Sequence, residues 1–129
     1  MNKQKIKIMR TLLLLVAFAT SVTFANAQFT KIFDLDSING KNPIGGSFIS
    51  DGIYLYGMTA LGGVNDYGTI FKIKPDGTDY QKLLDFNGVN GRRPFGTLIN
   101  DGTYLYGMTE LGGTENWGVI FKIKPDGTD

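Results

Sequence analysis

Two short loops are the first places where this sequence could do chemistry. Asp34-x-Asp36-x-x-Asn39-Gly40 and Asp85-x-Asn87-x-x-Asn90-Gly91 set carboxylate and carboxamide oxygens on tight, glycine-ended stretches, and a hard cation such as calcium takes oxygens of that kind. The spacing falls one ligand step short of a D-x-[DN]-x-[DN]-G loop and no distal glutamate follows. Calcium is therefore the one cofactor these residues suggest, against the simpler account that the same side chains form Asx turns. Tyr67 and Trp117 stand in polar loops after Leu-Gly-Gly. Rings in such loops could stack on a sugar or a protein partner, or cap the neighbouring unit. Asp66, Glu110 and Glu115 could supply a carboxylate pair for glycoside hydrolysis, but Glu110 and Glu115 stand where the other copy of the pattern has Ala60 and Asn65.

Other chemistries are excluded by composition. There is no cysteine and no histidine, which removes disulfides, thiol nucleophiles, imidazole bases, Cys/His zinc sites and the Ser-His-Asp triad. Leu-Gly-Gly is not a phosphate loop, since no Gly-Lys-Ser/Thr follows it and it opens no helix. Arg92-Arg93 is a solitary basic pair, expected in a solvated turn.

These residues sit on a tandem repeat. Asp51 to Asp79 and Asp101 to Asp129 match at 22 of 29 positions, and repetition of this kind fixes packing residues whether or not any copy binds or reacts. Ahead of each copy the match is looser but keeps Lys31 with Lys82, Asp34 with Asp85, Asn39-Gly40 with Asn90-Gly91 and Pro43 with Pro94. Gly45-Gly46 of the first unit becomes the single Gly96 of the second. The expected organisation is a signal peptide over 1–27, a first repeat or blade over 28–79 and a second over 80–129.

The signal is read from Lys3, Lys5, Lys7 and Arg10, the apolar run Leu12 to Ala19, and Ala25-Asn26-Ala27 at a cleavage site. The apolar run is shorter than the roughly 20 residues that span a bilayer, so cleavage before Gln28 is expected and no membrane span thereafter. The remaining chain carries nine basic and twelve acidic residues, a net charge of −3. Without a basic stripe to neutralise phosphates, nucleic acid is not an expected partner. Export to the cell surface or medium, or to a periplasm, is the expected localisation.

Each unit divides into about four short β-segments between glycine-rich turns, which points to an all-β, propeller-like array rather than helices. The segments run over 29–35, 47–50, 53–59 and 68–74 in the first unit, and over 80–86, 96–100, 103–109 and 118–124 in the second. Asp51-Gly52 and Asp101-Gly102 read as two-residue hairpin connections. Pro75-Asp76-Gly77 and Pro125-Asp126-Gly127 read as turns in which proline presets φ and glycine takes the left-handed position. The first of these hairpins the end of unit one into the start of unit two. Gly62-Gly63, Gly68, Gly112-Gly113 and Gly118 punctuate the remaining loops. Gly57 and Gly107, inside strands, suggest the close approach of another backbone.

The run Tyr-Leu-Tyr-Gly-Met-Thr, then Leu-Gly-Gly, then Gly-x-Ile-Phe-Lys-Ile-Lys-Pro-Asp-Gly, at 54–77 and 104–127, resembles the GloVer-type tandem repeat of bacterial secreted proteins. Met58 and Met108 stand where that family usually has threonine. The resemblance implies an exported β-propeller or related β-array with many repeats and no catalytic residue to carry over. Two units would leave two open sides, so the expected partners are further repeats or a second copy, with a carbohydrate or protein ligand beside them. The expected function is a non-catalytic exported scaffold, structural or ligand-binding, at the N-terminal end of a longer array. A propeller carbohydrate-active enzyme whose carboxylates come later in the chain, and a truncated product with no function of its own, are the alternatives.

Overall fold

A computed structural model describes residues 2–9 and 27–128. The chain divides into two compact units, Met1–Thr30 and Lys31–Asp129. The first contains a short helix over 3–9. The apolar run Leu12 to Ala19 and most of the expected cleavage site lie outside the described residues. No helix among the described residues is long and apolar enough to cross a membrane.

The second unit is all β. One sheet has the order β1 (Ile49–Ser50), β2 (Leu55–Thr59), β3 (Thr69–Ile73), β4 (Gln81–Asp85), and a second has β5 (Arg92–Asn100), β6 (Leu105–Leu111), β7 (Ile120–Ile123). All strand pairs are antiparallel. Short runs such as Leu-Tyr-Gly-Met-Thr and Thr-Ile-Phe-Lys-Ile carry the aromatic and β-branched residues that a doubly covered strand favours. The fourth strand of the first sheet comes from beyond residue 79. The hairpin at Pro75-Asp76-Gly77 thus delivers the start of the second sequence repeat to the edge of the first sheet.

The two sheets share one core, in which Tyr56 and Ile70 of the first meet Leu98, Leu105 and Ile123 of the second, with Phe86 just after β4. Phe86 and Phe121 touch edge to face, 5.5 Å between centroids. A single contiguous cluster of this kind is what makes stacked repeats cooperative.

Three expectations are corrected. Residues 29–35 do not form a strand, because no neighbouring strand takes up their backbone groups, whereas the matching residues 81–85 pair with β3. Arg92 and Arg93 lie in β5 rather than in a turn: Arg92 pairs with Leu111, extending the sheet past a register shift between Phe95 and Ile99. The first unit makes only the isolated bridge Lys41↔Leu61 at that place. Gly57 and Gly107 make room for rings rather than backbone. A Cβ on Gly57 would stand 2.8 Å from both Phe48 and Phe71, and one on Gly107 would meet Phe121.

Candidate functional site

The repeated Asp-Gly-x-Tyr-Leu-Tyr-Gly motif resolves into a carboxylate staple. Asp51 Oδ1 accepts the amides of Ile53 and Tyr54 at 2.8 and 2.7 Å, and its Oδ2 accepts the Tyr56 hydroxyl at 2.8 Å. Asp101 does the same for Thr103, Tyr104 and Tyr106, each at 2.8 Å. The Asp51 amide meets the Tyr54 carbonyl at 3.3 Å, so the tight turn centres on Gly52-Ile53, one residue later than expected, and the carboxylate stands in for the carbonyl that would otherwise bind the Tyr54 amide. Burial pulls the Asp51 pKa upward, but these donors outweigh it and leave the group below the ordinary carboxylate range. Burial, then the hydrogen bond to Asp51, pushes the Tyr56 hydroxyl up.

The two candidate calcium loops close on themselves. Asp36 Oδ1 accepts the Ile38 and Asn39 amides at 2.8 and 2.7 Å, and Oδ2 accepts the Asn39 side-chain amide at 3.0 Å. The Asn39 amide is the main cause of a lowered Asp36 pKa. In the second loop Asn87 Oδ1 accepts the Val89 and Asn90 amides, each at 3.0 Å, while Asn90 Oδ1 accepts the Asn87 amide at 2.8 Å. These are Asx turns. Asp34 and Asp85 are ion-paired with Lys31 and Lys82, at 2.7 and 2.9 Å. Among the described residues no group of three or more acidic, histidine or cysteine side chains could hold a metal ion.

The two loop aromatics part company. Tyr67 is half-buried against the core. The Arg92 guanidinium lies 5.6 Å from its ring centroid, and its carbonyl accepts the Arg93 amide at 2.8 Å. Trp117, its counterpart, is 87% exposed. Their loops are otherwise alike: Gly62 and Gly112 donate to the side chains of Asp66 and Asn116, both in the left-handed region. Gly62 and Gly112 also pass so close to the Gly40 and Gly91 backbones that any side chain would collide.

A cleft of about 520 Å³ lies between the two repeats. Ile44, Ala60, Pro94, Phe95 and Met108 make it apolar, and Arg93, Thr109 and Glu110 are its polar groups. Arg93 Nε and Glu110 pair at 3.2 Å. Among the described residues, Glu110 is the carboxylate that lines this cleft. Sequence reasoning missed the cleft, since Arg93 reaches it through a left-handed φ of 54° that nothing in an Arg-Arg pair signals.

Neither curated proteins nor solved structures offer a match to this chain. The profile of the Gloeobacter/Verrucomicrobia repeat matches residues 18–129, the span that holds both staples, both Leu-Gly-Gly loops and all seven strands. The chain belongs to the Gloeobacter/Verrucomicrobia repeat family.

Proposed function

We propose that this chain is a non-catalytic exported scaffold, a propeller-like array whose repeats stack sheet on sheet and hold loops outward for a carbohydrate or protein partner. The observation that carries this reading is how the repeated polar residues are used. Asp51 and Asp101 secure turns, and Asp36 and Asn87 close loops on their own amides. Side chains tied into turns are not poised to move protons. The basic n-region and small-residue cleavage site support export. Further repeats of the array, or a second copy, are the partners most directly suited to a stacked unit.

A panel of polysaccharides, scored for both retention and bond cleavage, tests this reading. Retention without turnover, weakened by Trp117→Ala, fits a scaffold with an aromatic contact, and an inert result fits a purely structural one. Hydrolysis or elimination by the purified chain would replace the reading with the carbohydrate-active enzyme.

A further inference from the structure

One place in the repeat carries a closed charge pair in the first copy and an open one in the second. Lys41 Nζ meets Asp66 Oδ1 at 3.0 Å, and the same oxygen accepts the Gly62 amide at 2.8 Å. Arg92 and Asn116 are the counterparts of Lys41 and Asp66. The two cations start from equivalent backbone, since Lys41 is bridged to Leu61 and Arg92 pairs with Leu111. Asn116 also keeps the loop as Asp66 has it, with φ of 58° against 57° and its Oδ1 accepting the Gly112 amide at 3.1 Å. A carboxamide brings no charge, however. The second repeat therefore retains the cation of the pair and lacks its carboxylate.

Arg92 turns instead to the neighbouring repeat, where its guanidinium lies 5.6 Å from the Tyr67 ring centroid, within cation–π reach. Its Nε is sealed from solvent and has no acceptor, the one side-chain polar atom so placed among the described residues. No carboxylate among the described residues pairs with it. A guanidinium withdrawn from water without a counter-charge is unfavourable, and such a group calls for a partner that arrives from outside. Arg92 as a whole is only partly buried, so the fork stays within reach of a ligand. Of the basic side chains, arginine suits a carboxylate best, because its planar fork meets both oxygens at once. Hydroxyl-binding groups stand in the same loop as Tyr67. Asn65 is exposed and donates through Nδ2 to the Phe86 carbonyl at 3.1 Å, which leaves its Oδ1 as an acceptor, and a tyrosine hydroxyl both donates and accepts.

We propose that Arg92, at the seam between the two repeats, binds the carboxylate of an acidic sugar, a uronate unit of a polysaccharide. The ligand's carboxylate does for Arg92 what Asp66 does for Lys41. Tyr67 is a positioning residue that holds the guanidinium plane, while Asn65 and the Tyr67 hydroxyl serve the hydroxyls of the sugar. Lys41 does not compete, because Asp66 already neutralises it. The site therefore selects an acidic sugar over its neutral counterpart, and added salt weakens the contact by screening. This names the ligand class of the scaffold proposed above and rests on that reading.

Titration calorimetry of the purified chain with trigalacturonate, its methyl ester, sulfate and a glutamate oligomer tests the proposal. Saturable heat with trigalacturonate, absent with the uncharged ester, is the expected result. Arg92→Gln should weaken the binding by about tenfold or more, the loss expected of a charge-assisted hydrogen bond. Asn116→Asp gives a second reading that leaves Arg92 in place. It rebuilds the pair that the first repeat already folds around, so the new carboxylate should occupy the cation and abolish the heat while the melt stays native. Asp66→Asn should do the reverse, freeing Lys41 and adding a second, weaker site. Equal heats for acid and ester, or uronate binding unchanged by both Arg92→Gln and Asn116→Asp, would overturn the proposal. Tighter binding of the glutamate oligomer would also overturn it, assigning the site to an acidic protein, as would displacement of the uronate by an equal concentration of sulfate. Cleavage of the polysaccharide would remove the scaffold reading and leave the charge-dependent binding intact, whereas loss of uronate binding without cleavage leaves the scaffold standing.

Discussion

Replacing Asp51 with alanine removes the acceptor of two backbone amides and of the Tyr56 hydroxyl. Tyr56 is 1% exposed, so its hydroxyl loses its partner in a place where water has little access. A stranded buried group of this kind costs about 1–3 kcal/mol, and loss of the turn contacts adds to it. For a folded unit near 100 residues, each kcal/mol lowers the melting temperature by roughly 4–8 °C. Asp51→Ala should therefore melt at least about 5 °C below wild type on that conversion. Asp101→Ala should cost less, because Tyr106 is only half-buried. Urea unfolding of wild type, Asp51→Ala, Tyr56→Phe and the double variant isolates the pair. The double variant should recover part of the loss, with a coupling energy in the range of about 0.5–3 kcal/mol. The donors to Asp51 lower its folded pKa overall. Its stabilising contribution is thus present above the unfolded carboxylate pKa and fades as pH falls through the folded one, so the gap between wild type and Asp51→Ala should narrow in acid. An Asp51→Ala protein as stable as wild type, or one with no coupling to Tyr56, would refute the staple.

Three further outcomes are expected. Ile70 of β3 is fully buried while its counterpart Ile120 of β7 is 82% exposed, so Ile70→Ala should lose about 2–5 kcal/mol of unfolding free energy, while Ile120→Ala should change it by less than about 0.5 kcal/mol; equal losses would contradict that difference in burial. Asp79 is held down to about 2 by the hydroxyl of Tyr54 and then by Gln81, so its share of stability should be fully present above the ordinary aspartate value of 3.8 and disappear as pH falls toward 2, an acid step that Asp79→Asn should remove from a pH series of melts. Calcium should give neither heat of binding nor a thermal shift, because the oxygens of Asp36 and Asn87 already accept their own loop amides; a saturable shift abolished by Asp36→Ala would reverse this.

Turn chemistry was the most legible part of the sequence, because Asp, Pro and Gly act on their immediate neighbours. The Pro-Asp-Gly turns, the Asx loops and the strands they bound are local consequences of local residues. What depended on neighbours in space was not legible. Residues 29–35 carry the pattern of β4 and form no strand, since pairing requires an adjacent edge. Gly57 and Gly107 were readable as places of close approach, but only packing reveals aromatic rings as the neighbours. Tyr67 and Trp117 hold the same place in the repeat, and their exposure differs because Arg92 and Arg93 of the following repeat reach Tyr67. The cleft between repeats was invisible for the same reason, being assembled from segments about fifty residues apart.

The stacking of the two sheets through a shared core is the claim on which the rest depends, and side-chain NOE measurements on the purified chain test it most directly. Ring and methyl contacts from Tyr56 and Ile70 to Leu98, Leu105 and Ile123, and between the rings of Phe86 and Phe121, are the predicted result. Intact NOEs within each sheet, with none between the two sheets, would contradict it.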